Sequence, residues 1–428
     1  MQKLIGSLKI PGDKSVSHRA LILSSMAVGK TKISNLLEAD DIRSTIKILK
    51  QLGIRIYKRN TNWFVHGNGT NGFIQPKNVL DANNSGTSAR TLIGAVSSNP
   101  ITCKFKGDKS LSKRSMSRVT TYLVILGAKI NLTRKNYLPL EIEGNSNMIP
   151  RKIIIEKPSA QIKTALIFAG LNISGKFKII EKVQTRDHTE KLLKHLNISY
   201  RLNKRKNGFN EIELNGPYEI LPRNISVVGD PSSAAFFVVG ALILPGSKIT
   251  LKNVSLNNTR TAYIKILQKM GGKIKIKRNK DISGEPCGSI YAEYSKLKGT
   301  NIKKSLSPFL IDEYPIISIA ASCANGTTVM KGLNELRHKE SDRINSIVSN
   351  LRKVGVSVES KNDDIRIHGN TNFKNKPIKI KSFDDHRIAC AFMILRLINK
   401  NIKIDNERCV SISYPKFKKD LKSLLKNI

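Results

Sequence analysis

"GDPSSAAFFVVGALILPGSKITLKNV", residues 229–254, carries the plan of the whole chain in one stretch. A polar opener, Gly-Asp-Pro-Ser-Ser, leads into a run of small and apolar residues. That run predicts a helix covered on every side, since no polar stripe is left to face water. A turn at Pro245-Gly246 follows, and then Lys-Ile-Thr-Leu-Lys alternates as a half-exposed strand does.

The same plan recurs in "DKSVSHRALILSSMA" (13–27), "NNSGTSARTLIGAVS" (83–97), "PSAQIKTALIFAGL" (158–171), "IDEYPIISIAASCA" (311–324) and "DDHRIACAFMILRL" (384–397). With the quoted stretch this makes six segments, starting about 70 to 85 residues apart. Alternating stretches follow most of them: "GKTKISNL", "GKFKIIEKV", "GTTVMKGL" and "NKNIKIDN". Second helices come next, in "DDIRSTIKILKQLG", "RSMSRVTTYLVILG", "RDHTEKLLKHLN", "TRTAYIKILQKMGG" and "SDRINSIVSNLRKVG". Their apolar residues recur at three and four, which marks one buried face, and several end on glycine, a common helix stop.

These elements predict an α/β (α+β) chain of two similar domains, residues 13–229 and residues 1–12 plus 230–428. Each has three units of strand, helix, strand, helix, strands, and the crossings lie near 12 and 230. The first strand, near residues 2–10, is assigned to the second half. Small residues on the first helices favour close packing in each domain's interior. Every such helix presents free N–H groups and a positive dipole end, so converging ends would form an anion site.

Composition narrows the function. Lys and Arg number 74 against 32 Asp and Glu, a net of +42. Lys, Asn and Ile are all abundant, and the charge is spread evenly without a basic tail. Aromatics are 6% of residues and do not alternate with basic ones. The balance therefore reads as a field favouring small anionic substrates, and no specific nucleic-acid partner is expected. No apolar run reaches the ~18 residues that a membrane span needs, so no membrane partner is expected either. The opening "MQKLIGSLKIPG" lacks a leader's apolar core, and cysteines 103, 287, 323, 390 and 409 form no Cys-x-x-Cys pair. The expectation is a cytoplasmic protein with free thiols and no metal. Gly29-Lys30-Thr31 looks like the tail of a P-loop, but Ser24 occupies the position of its first glycine, so no nucleotide site is assigned.

"PGDKSVSHRALIL", "NNSGTSAR", "KPSAQIKTALIFAGL", "TRDHTEK", "GDPSSAAFF", "IDEYP", "LRHKESDR" and "DDHRIA" stand in one order from Lys14 to Pro415. In that order and spacing the chain resembles the 5-enolpyruvylshikimate-3-phosphate synthase family. The resemblance implies the inverse-barrel-like enolpyruvyl transferase fold, two domains of three βαβαββ units. It implies transfer of the enolpyruvyl group of phosphoenolpyruvate to the 5-hydroxyl of shikimate-3-phosphate with release of phosphate, by addition then elimination. It implies no cofactor and no metal. A monomer is expected, closing its two halves on the two small-molecule substrates.

The same resemblance assigns residues. Lys14 would reach both substrates. Ser15, Arg19, Ser159, Ala160, Gln161, Arg186 and Lys339 would hold shikimate-3-phosphate. Gly86, Arg114, Gln161, Arg343 and Arg387 would hold phosphoenolpyruvate, Gly86 through its backbone. Asp312 would bind and deprotonate the attacking hydroxyl, and Glu340 would protonate the methylene carbon. Read locally, these residues have plainer roles. Ser159 is a helix cap, Asp312 and Glu313 are acids at a helix start, and Glu340 pairs with Arg343 along a helix. Arg114 is an exposed arginine at a helix start, and Arg387 pairs with Asp384 or Asp385.

Ala160 and Arg186 resemble the second of the family's two sequence classes. Gly86 stands where glyphosate-tolerant members of that class carry alanine, so the resemblance implies inhibition by glyphosate. Three positions depart from the usual pattern: Ser115 and Thr91 replace prolines, and Ile412 replaces a lysine. Two other readings compete. A UDP-N-acetylglucosamine enolpyruvyl transferase would carry a cysteine where Lys109 stands, and a nucleic-acid-binding repeat protein would rest on the net charge and on the related repeats of RNA-end cyclases.

Overall fold

The computed structural model describes residues 2–134, 136–205, 208–369 and 372–427. The chain divides into two compact units, Gly12–Val227 with Ile282–Glu285, and Met1–Pro11 with Val228–Asp281 and Pro286–Ile428. Each unit has one apolar core of its own. No helix among the described residues is long and apolar enough to cross a membrane.

The unit Gly12–Val227 contains α1 (Lys14–Ser25), α2 (Asp40–Gln51), α3 (Gly86–Ser97), α4 (Ser117–Ile125), α5 (Ala160–Gly170) and α6 (His188–His195). Three four-stranded sheets surround them, all with one plan. In the first, Val28–Ser34 pairs in parallel with Ile225–Ser226 and antiparallel with Asn62–Asn68, which pairs with Arg55–Arg59. Thr102–Lys106 and Gly175–Glu181 are the corresponding strands of the other two. Helices α1, α3 and α5 are the ones the sequence gives no polar face, and they are buried along almost their whole length. Close approach is what their small residues permit. A Cβ on Gly94 of α3 would lie 2.3 Å from the carbonyl oxygen of Ala165 on α5.

The other unit contains α7 (Pro231–Ile243), α8 (Ala262–Lys269), α9 (Ser307–Leu310), α10 (Tyr314–Ser322), α11 (Arg343–Lys353), α12 (His386–Leu395) and α13 (Phe417–Leu424). Helices α7, α10 and α12 pack on one another at its centre, and every residue of α7 is buried. Gln2–Lys9 lies between Lys248–Ser255, in parallel, and Leu425–Asn427, antiparallel. Asn301–Ile302, Gly326–Met330, Asp364–Gly369 and Ser357–Lys361 repeat the four-stranded plan.

The sixth segment departs from the repeat. Among the described residues its sheet pairs only Ile378–Ile380 with Ile402–Ile404. The chain then enters a 3-10 turn at Arg408–Ile412 and α13, whose Phe417, Leu421 and Leu424 are buried. α13 packs against Gln2–Lys9, and a Cβ on Gly6 would lie 3.7 Å from Leu424. The outer helices stop as their sequences suggest. Gly53, Gly127, Gly271 and Gly355 follow α2, α4, α8 and α11 with positive φ, and Asn197 does so after α6.

Candidate active site

In the unit Gly12–Val227, side-chain hydrogen bonds tie together the first turns of α1, α3, α5 and α6. Asp13, Ser85 and Ser159 cap α1, α3 and α5, each accepting a backbone N–H of the first turn. Arg90 of α3 donates to Gln161 Oε1 at 2.7 Å, and Gln161 donates back to Thr87 at 3.0 Å. Arg90 also reaches the Ser115 carbonyl at 3.0 Å, so the residue standing in place of proline anchors an arginine through its backbone. Ser159, Ala160 and Gln161 are half-buried at the head of α5.

Arg19 is 2% exposed, and its guanidinium is bonded on all sides. It donates to Thr189 at 2.8 Å, Thr164 at 2.7 Å and the Ser15 carbonyl at 2.8 Å. A buried ion network beside it locks α5 to α6. Lys163 lies 3.0 Å from Glu181 and 2.6 Å from Glu190, all but enclosed. Burial pushes the Glu190 carboxyl up, and Lys163 pulls it back. The network fixes the neighbouring threonines, which touch each other at 2.7 Å. Lys14 is held by Asp41 at 3.0 Å, and Arg186 is half-buried in the loop leading into α6.

Gly86 is the first residue of α3. A Cβ there would stand 3.1 Å from an Arg90 nitrogen and 3.5 Å from one of Arg114. The backbone at Gly86 is thus flanked by two guanidinium groups. Arg114 is half-buried after a 3-10 turn, donating to Asn84 at 2.9 Å and Ser110 at 3.0 Å. It is not the exposed helix-start arginine of the local reading.

The other unit gathers its assigned residues around one side chain. Arg343 opens α11 and is 1% exposed. Its three nitrogens meet Asp385 at 2.8 Å, Asp312 at 3.2 Å and Glu340 at 2.6 Å. Burial works against its charge, but Asp385, Glu340 and Asp312 outweigh that and hold it protonated. Arg387 also meets Asp312 at 3.2 Å. Lys339, half-buried in this cluster, is pushed down to about 8. Desolvation is the main cause and Arg343 adds to it, while Asp312, Glu340 and Glu335 oppose.

The local readings are corrected here in detail. Glu340 pairs with Arg343, but from the turn before α11 and not along a helix. Arg387 takes Asp312, because Asp385 is turned away: it accepts the Arg387 backbone N–H, capping α12, and receives Arg343. Glu313, adjacent to Asp312, accepts from the Ser232 hydroxyl, and Arg260 reaches Ser232 at 2.9 Å and Asp230 at 3.0 Å. Sequence reasoning passed over Asp41, Arg90, Thr164, Thr189 and Arg260. Their only signal was position, one turn from an assigned residue or in a quoted stretch.

Comparison with known proteins agrees over the full length. Residues 1–421 match the model of the family described as EPSP synthase (3-phosphoshikimate 1-carboxyvinyltransferase). A protein named 3-phosphoshikimate 1-carboxyvinyltransferase from Zymomonas mobilis is 42% identical over 98% of this chain and 94% of its own. One of the same name from Ruegeria is 41% identical over 97% and 93%. The structure of EPSP synthase from Acinetobacter baumannii superposes with a TM-score of 0.84 at 34% identity, covering 100% of this chain and 98% of that one. The enolpyruvyl transferase NikO from Streptomyces tendae, at 12% identity and TM-score 0.73 over 99% and 96%, shares the fold. Neither rival reading survives these matches, and the chain belongs to the EPSP synthase family.

Proposed function

We propose that the residues gathered in the two units are the working residues of this family's reaction. The enolpyruvyl group of phosphoenolpyruvate passes to the 5-hydroxyl of shikimate-3-phosphate. Asp312 takes the hydroxyl proton as that oxygen bonds to C2 of phosphoenolpyruvate. Glu340, taking up a proton from solvent once phosphoenolpyruvate replaces it on Arg343, supplies that proton to the methylene carbon, completes the addition and is left a carboxylate. The Glu340 carboxylate then takes a proton back from the new methyl group, the double bond re-forms, and the C2–O bond breaks as phosphate leaves with the proton that Asp312 took. Lys14, a point charge near the head of α1, serves both substrates. Ser15, Arg19, Ser159, Ala160, Gln161, Arg186 and Lys339 hold shikimate-3-phosphate. Gly86, Arg114, Gln161, Arg343 and Arg387 hold phosphoenolpyruvate.

The observation carrying this reading is the Arg343 cluster. Asp312, Lys339, Glu340 and Arg387 come from distant stretches of chain and share one neighbourhood. Its geometry adds a condition. Arg343 is enclosed by three carboxylates, so contact with phosphoenolpyruvate requires that Asp312 or Glu340 yield a guanidinium edge. An anionic substrate competing for Arg343 would thereby release the acid that serves as proton carrier. The reading needs no cofactor or metal. It takes the chain to act as a monomer in the cytoplasm, where its five unpaired cysteines fit a reducing compartment. Phosphate release tests it, assayed with both substrates and with each omitted in turn. Release only when both are present is the expected result. Release from phosphoenolpyruvate alone, or none with both, refutes the assignment.

A further inference from the structure

A chain of buried hydrogen bonds runs from α1 through α2 to the cap of α3. His18 Nδ1 lies 2.7 Å from Thr45 Oγ1, and Thr45 Oγ1 lies 2.7 Å from Ser88 Oγ. Ser88 Oγ donates to Ser85 Oγ at 2.8 Å and approaches the Asp41 carbonyl at 3.3 Å. Ser85 Oγ accepts the Ser88 backbone N–H at 3.1 Å and so caps the helix that begins at Gly86. All four side chains are 0% exposed. No bond in this chain is used by the chemistry assigned above.

The bonds have one direction that leaves no buried donor stranded at His18. His18 Nε2 is buried and has no hydrogen-bond partner among the described residues. A proton on Nε2 would strand a buried donor, whereas a proton on Nδ1 leaves only an unfilled acceptor. With Nδ1–H donating to Thr45, Thr45 donates to Ser88, and Ser88 donates to the cap. Reversing the first bond leaves Thr45 no hydrogen for Ser88. Ser88 would then have to turn its own hydrogen back to Thr45, and its hydroxyl would no longer donate to Ser85. The direction is therefore set at His18.

We propose that His18, Thr45 and Ser88 are positioning residues that set the first turn of α3, and with it the Gly86 backbone, for phosphoenolpyruvate. This rests on the assignment of Gly86 to phosphoenolpyruvate. Asp41 extends the device: its carbonyl oxygen lies 3.3 Å from Ser88 Oγ, and its carboxylate holds Lys14. One helix, α2, thus braces both the Gly86 turn and Lys14.

Thr45→Val removes the middle hydroxyl while keeping the side chain's shape. The Michaelis constant for phosphoenolpyruvate should rise roughly two- to tenfold, the range of one net hydrogen bond. That for shikimate-3-phosphate should stay put. Amide exchange at residues 86–88 should quicken, and Thr45→Ser should restore both readouts. Ser88→Ala should reproduce the effect, and the double variant should be no worse than either single one, because the chain is already cut. Equal rises in both Michaelis constants, no change in either, or failure of serine to rescue overturns the proposal. Gly86→Ala separates the two layers. If it raises the phosphoenolpyruvate constant while Thr45→Val does not, the positioning role is wrong and the Gly86 assignment stands. If neither variant touches phosphoenolpyruvate, the assignment falls and the proposal with it.

Discussion

At the scale of single residues, burial and partners set what each assigned side chain can do. Asp312 is held between Arg343 and Arg387, each at 3.2 Å. Asp312→Asn keeps a hydrogen-bonding oxygen for both arginines but cannot take a proton. The turnover number should fall about a hundredfold or more, the scale for loss of a general base, with small changes in Michaelis constants. Steady-state rates check it, and near-normal turnover removes Asp312 from its role. Lys339 yields a pH prediction. Its pKa is lowered to about 8, so its ammonium form is lost as pH rises through that value. An anionic ligand favours the ammonium, so the Michaelis constant for shikimate-3-phosphate should climb above about pH 8. Lys339→Met should start high and lose that step; a wild-type profile flat to pH 9.5 contradicts it. At Gly86 an added methyl would stand 3.1 Å from Arg90, so the space there is nearly closed. Gly86→Ala should weaken glyphosate more than phosphoenolpyruvate, because the longer ligand meets the methyl first. Inhibition and Michaelis constants for both forms decide this, and equal weakening argues against Gly86 as the limit on length.

At the scale of elements, helix and strand positions follow from local patterning, and their closeness follows from small residues. The inner helices lack a polar face and lie buried; the outer helices keep one apolar stripe and end on left-handed residues. Gly94 marks where α3 and α5 nearly touch. Its Cβ would lie 2.3 Å from a backbone oxygen, and backbone cannot swing aside as a side chain can. Gly94→Ala should destabilise the protein by about 1–3 kcal/mol, the usual range for overpacking, read as a lower urea midpoint at unchanged slope. An unaltered midpoint would mean the helices part without strain. The glycine was visible in "NNSGTSARTLIGAVS", but its partner Ala165 was not, because nothing local links residues so far apart. The truncated sixth repeat was hidden for a similar reason. α13 packs on the strand Gln2–Lys9, at the opposite end of the sequence.

For the molecule as a whole, the net charge of +42 is its most distinctive bulk property. Both assigned substrates are anions, so the summed field should speed their capture. Raising ionic strength from ~0.01 to ~0.15 M shortens the screening length from ~30 to ~8 Å. kcat/KM should fall by about tenfold or more over that range while kcat changes little. A flat salt dependence would show that the charge serves no such purpose. Sequence alone determined the repeated helix and strand segments, their buried or half-buried character, the helix stops and the family signature. Each of these is a local pattern, written within one or two turns of chain by the spacing of apolar, polar and glycine residues. Tertiary structure alone decided that Arg387 takes Asp312, that Arg343 is enclosed by Asp312 and Asp385 as well as Glu340, that Lys339 has a lowered proton affinity and that a hydrogen-bond chain reaches the cap of α3. Those outcomes depend on distance and desolvation between groups tens of residues apart, and only packing brings such groups within the few ångströms where charge and hydrogen bonds act.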